Sequence, residues 1–236
     1  LVALRYLLGL RPITTVVDEL STIADVALEV AGELALESYR ARIRESAEAA
    51  ARPAELHPEA TSAPITVIAL GKYGGRELNF FADLDIVYVW NDAAAGEGAL
   101  CRDAAEALQL VDQFVFTVTE HMPEGRLYAL DARLRPDGRN SPLVTPLSYY
   151  TTYLRQTAEI WELMAFTRAR CVLGDERVYR QLLEAARDGL ARWQAEEIRS
   201  YAAGMRLRLE QAVAPADAAK SEFKRSAGGL TDVEFL

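Results

Sequence analysis

The sequence predicts an α+β protein in which a small sheet sits between a helical lead-in and a C-terminal helical region. Three observations point there. Apolar residues recur at helical spacing from about Val16 to Ala51. Two short apolar runs, Ile65–Leu70 and Ile86–Trp90, have the length and composition of buried strands. Beyond Pro146 the apolar residues return to helical spacing.

In chain order, Leu20, Ile23, Val26, Ala27 and Val30 mark the lead-in helix, with Arg and Glu on the other side. Pro53, His57, Pro58 and Pro64 then break the periodicity. After the strand Ile65–Leu70 comes a turn, Gly71-Lys72-Tyr73-Gly74-Gly75, and Asp83 and Asp85 open the strand ending at Trp90. A polar loop covers Asp92 to Gly98, and helical spacing resumes from about Ala99 to Val118. Leu127–Arg135 reads as a third strand, with Tyr128, Leu130, Ala132 and Leu134 on one face and Asp131, Arg133 and Arg135 on the other. Pro136–Pro142 is a turn cluster that closes the sheet region. Everything after Pro146 reads as helix, with stripes such as Tyr149, Tyr150, Tyr153 and Leu154 that are assigned to packing. The expected division is residues 1–60, a helical lead-in; 61–144, the sheet core; and 145–236, the helical region.

Composition bounds the function. With 236 residues, half of them hydrophobic, the chain can bury a sizeable core. A net charge of −9 repels long nucleic acids and weighs against a template-using polymerase. No run reaches the ~20 apolar residues of a membrane span, and the opening segment lacks the marks of a signal peptide. Two cysteines, Cys101 and Cys171, do not make a disulfide framework and fit a reducing cytoplasm. The isolated His57 and His121 read as structural. The missing initiating Met and the ending at Phe235-Leu236 fit a piece of a longer polypeptide.

The chemistry is concentrated in three carboxylates. Side chains two apart on a strand leave the same face, so Asp83 and Asp85 point at one spot. Like charges held together repel unless a cation lies between them, and oxygen-only ligands suit Mg²⁺, which shares its remaining positions with phosphates. Asp131 on a neighbouring strand can complete the set, while Arg133 and Arg135 reach phosphate oxygens. Each piece also has a plain reading: a tight turn for Gly74-Gly75, a solvated strand end for the acidic pair, a surface ion-pair ladder for Asp131 and its arginines. Their occurrence in order favours metal-assisted transfer at phosphorus, with Gly74 and Gly75 offering backbone amides to the nucleotide.

These residues resemble a known family. Gly74-Gly75-Arg76-Glu77-Leu78 leading to Asp83-Leu84-Asp85, then Asp131-Ala132-Arg133-Leu134-Arg135-Pro136-Asp137-Gly138, Trp161-Glu162, Arg168-Ala169-Arg170, Gly174-Asp175, and Lys224 with Gly228–Phe235 look like the glutamine synthetase adenylyltransferases of the nucleotidyltransferase superfamily. The resemblance runs from about Thr66 to Leu236. It implies a nucleotidyltransferase-type small mixed sheet with flanking helices, Mg²⁺, ATP as substrate, and AMP moved to or from a tyrosine of glutamine synthetase. It adds Glu77 and Lys224 to the nucleotide-binding residues, with Glu234 as a further candidate, and implies a nitrogen-signalling PII-type regulator as a second partner. Family members carry two such units, one attaching AMP and one removing it by phosphorolysis. Glu77-Leu78-Asn79 is closer to the removing unit, whereas Leu130–Arg133, Arg168–Val172 and Gly229–Asp232 are closer to the attaching one, and attachment is the reading adopted. Phe81-Ala82 departs from the family, which usually has small or hydroxylated residues there, and this motivates a third reading, a non-catalytic module that binds nucleotide or a partner.

Overall fold

The computed structural model describes residues 1–49, 64–95, 99–121, 123 and 125–211. The expected candidates His57, Lys224 and Glu234 lie outside them. A short helix, α1 (Val2–Leu7), leads into the 37-residue α2 (Ile13–Ala49). The alternation between polar and apolar positions on α2 gives it one buried stripe, Ala24, Leu28, Ala31, Ala35 and Tyr39, which packs on the sheet and on α4.

Five strands form a mixed sheet flanked by helices, as expected. β1 (Ile65–Ala69) is central, antiparallel both to β2 (Leu84–Trp90) on one side and to β5 (Arg170–Leu173) on the other. The far edge of β2 is shared: β3 (Leu130–Asp131) runs parallel to its beginning and β4 (Val144–Pro146) parallel to its end. A one-turn helix, α3 (Gly71–Gly74), follows β1. The 16-residue α4 (Ala104–Thr119) starts at Asp103, whose carboxylate accepts the amides of Ala105 and Glu106 at 2.9 Å. α5 (Leu147–Gln156), α6 (Ile160–Ala165), α7 (Glu176–Leu190) and α8 (Ala195–Gln211) complete the described residues.

Strand alternation assigns the two faces of the sheet. Val67, Ala69, Ile86 and Tyr88 join the core under α2 and α4, while Ile68, Leu70, Val87 and Val89 join a second core with α5 and α7. No helix among the described residues is long and apolar enough to cross a membrane.

Two expectations are corrected. The strand expected over 127–135 is only two residues long, because the Arg133 amide donates to the Asp131 carboxylate at 3.0 Å and turns the chain at once. Arg133 and Arg135 therefore do not stand on a strand face. The region after Pro146 is not all helical either: Arg170–Leu173 is the strand β5, placed between a 3₁₀ turn at Phe166–Arg168 and the left-handed Gly174. The expected boundary at 144/145 falls inside β4.

Ile68 lies in the middle of the central strand and is fully buried. Its replacement by Ala should cost about 2–5 kcal/mol by loss of packing and a partly relaxed cavity. Urea unfolding measures this, and a loss below about 1 kcal/mol would contradict the central position of β1.

Candidate functional site

The end of the sheet where β1 stops and β2 begins gathers the carboxylates. Asp85 and Asp131 are register partners on the parallel strands β2 and β3, and Asp83 stands one residue before β2. The Leu70 amide donates to the Asp85 carbonyl at 2.9 Å, which fixes the register at this point. Among the described residues, no three His, Cys, Asp or Glu side chains are assembled as a ready-made metal cage.

The neutralising charge comes from Arg133. Its guanidinium holds both Asp131 oxygens, with Nε at 2.8 and 2.7 Å and Nη2 closing the pair. This hydrogen bonding holds the Asp131 carboxyl below its ordinary range against the opposing effect of burial, and Arg139 adds to the lowering. In turn the Arg133 guanidinium is made more basic, first by Asp131 and in smaller part by Asp85 and Asp83. Asp131 is therefore the carboxylate that Arg133 holds, while Asp85 and Asp83 add only in smaller part to its basicity. Carboxylate oxygens are chemically suited to a hard ion such as Mg²⁺, but Asp131 is bound here by Arg133, whose side chain is largely exposed at 61%.

Arg135 takes a different place from the one expected. Its guanidinium donates to the carbonyls of Ala132 at 2.7 Å, Ser141 at 2.9 Å and Pro142 at 3.0 Å. It thus braces the loop that carries Asp131 and Arg133 rather than projecting into open space.

α3 closes the other side of the carboxylates. Gly71 adopts φ +55°, and a Cβ built there would lie 2.5 Å from Asp85 Oδ2, so the turn presses its backbone against the Asp85 carboxylate. Gly74 is needed for the fold: a Cβ would overlap the Arg168 carbonyl oxygen and come 2.8 Å from that of Ala69. Gly75 has no such neighbour, its would-be Cβ meeting nothing nearer than 3.5 Å. The expectation that this glycine pair offers free amides to a nucleotide is corrected: the Gly74 amide donates to the Leu70 carbonyl at 2.8 Å and the Gly75 amide to the Gly71 carbonyl at 3.1 Å, closing the turn. Glu77 pairs with Arg168, Nη1 to Oε2 at 2.6 Å.

Several residues around the site carried no functional signal in the sequence. Asp25 on α2 accepts the Tyr73 hydroxyl at 2.8 Å, Arg76 Nη1 at 3.1 Å, and Arg170 at 3.0 and 2.9 Å. Arg168 and Arg170 were visible only through the resemblance. Phe81, two residues ahead of Asp83, is fully exposed in a left-handed conformation at φ +62°, an unusual backbone for an aromatic residue. An apolar cleft of about 280 Å³ between α2, α4 and β1, lined by Gly32, Leu36, Val67, Tyr88, Phe114 and Leu173 among others, contains none of the carboxylates.

Comparison with known proteins gives the context for this geometry. The family profile described as glutamate-ammonia ligase adenylyltransferase matches residues 1–185. A protein of Streptomyces avermitilis named bifunctional glutamine synthetase adenylyltransferase/adenylyl-removing enzyme is 35% identical over 219 residues, 89% of this chain and 21% of that protein. Proteins of the same name from Xanthomonas campestris and Methylococcus capsulatus are 34% and 30% identical over 76% and 100% of this chain. The chain spans 20–25% of the length of these relatives.

Two outcomes follow from the geometry. The Asp131 carboxyl should titrate below the ordinary value of 3.8, so the stability contributed by its pair with Arg133 is present above that value and is lost as pH falls through the lower folded one. Carbon-detected NMR titration checks this; a midpoint at or above 3.8, or one unmoved by Arg133→Ala, would contradict it. Gly74→Ala should destabilise the fold by about 1–3 kcal/mol through overpacking, whereas Gly75→Ala should unfold within about 0.5 kcal/mol of wild type, both read by denaturant melts.

Proposed function

The chain belongs to the glutamate-ammonia ligase adenylyltransferase family, and from that premise we propose that its carboxylate site catalyses Mg²⁺-dependent transfer of AMP from ATP to a tyrosine of glutamine synthetase. The observation that supports the reading is the register pairing of Asp85 and Asp131 on β2 and β3, with Asp83 one residue before β2, beside the backbone turn of α3.

The residues divide the work as follows. Asp83, Asp85 and Asp131 would hold Mg²⁺, which when bound would neutralise charge developing on the phosphates. Arg133 exchanges its carboxylate partner for the oxygens of the triphosphate, which its planar guanidinium binds well. Gly75 lets the backbone approach the nucleotide, with Gly74 fixing the turn from which it does so, and Glu77 contacts the nucleotide, a role that the family resemblance also implies for Lys224. Arg135 keeps the Asp131 loop in place. A tyrosine hydroxyl with a pKa near ~10 is a poor nucleophile at neutral pH until its proton is taken. Asp131, released from Arg133, accepts that proton; the phenolic oxygen bonds to the α-phosphorus, and pyrophosphate leaves with the electron pair of the broken bond. Glutamine synthetase is the protein partner, a PII-type regulator a further one, and the cytoplasm the setting.

Phosphorolysis is the second reading, supported by the likeness of Glu77-Leu78-Asn79 to the AMP-removing unit. There phosphate attacks the α-phosphorus of adenylyl-tyrosine, and ADP and free tyrosine result. A regulatory module without transfer is the third, supported by Phe81 and Ala82 where hydroxyl-bearing or small residues are usual.

One assay separates them: unmodified glutamine synthetase with α-labelled ATP, and the adenylylated protein with phosphate, each with and without Mg²⁺. Label on the protein supports attachment, labelled ADP from adenylylated protein supports removal, and neither supports the regulatory module. Asp83→Asn and Asp85→Asn should each lower the active direction at least about a hundredfold while leaving the unfolding midpoint in place. Unchanged turnover in either variant would contradict the catalytic readings.

A further inference from the structure

The lead-in helix reaches into the site through a single carboxylate. Asp25 lies on α2 and is 24% exposed, and three side chains from elsewhere in the chain converge on it. The Tyr73 hydroxyl of α3 donates to Oδ1 at 2.8 Å. Arg170 of β5 donates through both terminal nitrogens, Nη1 to Oδ2 at 3.0 Å and Nη2 to Oδ1 at 2.9 Å, and stacks its guanidinium over the Tyr73 ring at 5.2 Å. Arg76, next after the glycine pair, gives Nη1 to Oδ2 at 3.1 Å. The neighbouring turn of α2 secures the same segment, since Arg76 also reaches Asp18 at 2.6 Å and Thr22 at 2.7 Å.

The contacts form a continuous path to the carboxylates. Arg170 Nη2 also donates to the Tyr73 carbonyl at 3.3 Å, so both the side chain and the backbone of α3 are held. At the other end of that single turn, Gly71 abuts Asp85 Oδ2. Arg76 holds a left-handed conformation, φ +58°, that a side chain rarely adopts and that its three partners on α2 maintain. A surface ion pair contributes little, but here one half-buried carboxylate satisfies a hydroxyl and two guanidiniums from three separate segments, and replacing it leaves all of them without that partner.

We propose that Asp25 is a positioning residue for the nucleotide site: it sets the placement of α3 and of the Gly75-Arg76-Glu77 segment against Asp85, and so makes α2 a working part of the catalytic unit. The inference rests on the functional reading above. Small displacements of such a segment are costly because the reacting groups must be held in place before reaction.

The test uses the whole chain and measures MgATP affinity by equilibrium titration together with the KM for ATP, at a temperature where every variant is folded. Asp25→Asn, which keeps size and loses charge, should weaken MgATP binding and raise its KM about tenfold. Asp25→Glu, which restores the charge, should recover part of the loss. Leu28→Ala serves as the control: Leu28 is fully buried on the same helix and its side chain makes no hydrogen bond, so its truncation should lower the unfolding midpoint through lost packing alone. It should leave MgATP affinity within twofold of wild type. Wild-type affinity in Asp25→Asn would overturn the proposal, and so would an equal loss in Leu28→Ala, which would reduce Asp25 to a stabilising residue. A wild-type chain that binds no MgATP would instead sink the functional reading itself.

Discussion

Two carboxylates placed opposite each other on neighbouring strands impose a condition that the rest of this molecule meets. Asp85 and Asp131 are held in register by backbone pairing, so their backbones cannot move apart without breaking the sheet. A positive charge must be supplied from outside the strands. Arg133 supplies it, and the depressed Asp131 carboxyl is the thermodynamic mark of that pairing. Arg133 is largely exposed, and on this rests the proposal that a cation takes its place on the carboxylates and leaves the guanidinium for a phosphate.

The surrounding architecture protects this condition from three directions. β4 runs along the later part of β2, so the edge beside Asp85 is left to the two-residue β3 and the loop after it, and Arg135 fastens that loop through three carbonyls. α3 comes off the end of β1 with its backbone against Asp85 and is locked by the close approach of Gly74 to Arg168. α2 and β5 then grip α3 through Asp25 and Arg170. Segments from the lead-in and from the region beyond Pro146 thus complete a site whose carboxylates all come from the sheet region between them.

What could be read from the sequence follows from how local each signal is. The lead-in helix, β1, β2 and α4 announce themselves by periodicity, and Asp83 and Asp85 by their position at the head of an apolar strand. β3 could not be sized, because the alternation from Tyr128 to Arg135 is genuine while the carboxylate of Asp131 outcompetes it by capturing the Arg133 amide. The chemistry of Arg135 suits phosphate, and only the tertiary structure brings the carbonyls that occupy it. β5 was missed since four residues beginning with Arg, with no fully buried position, give no strand pattern. Asp25 is the clearest case: its partners are 48, 51 and 145 residues away, and on a helix already rich in acidic side chains nothing local distinguishes it.

The central claim is that Asp83, Asp85 and Asp131 share one divalent cation when nucleotide is bound. A crystal structure of the chain with Mn²⁺ and a non-hydrolysable ATP analogue, phased at the manganese edge, measures it directly. The account predicts an anomalous peak about 2.0–2.3 Å from oxygens of Asp85 and Asp131, with Asp83 in the same coordination sphere or one water away and Arg133 turned to the phosphates. A peak elsewhere, or an Arg133 still fastened to Asp131 with nucleotide in place, would contradict it.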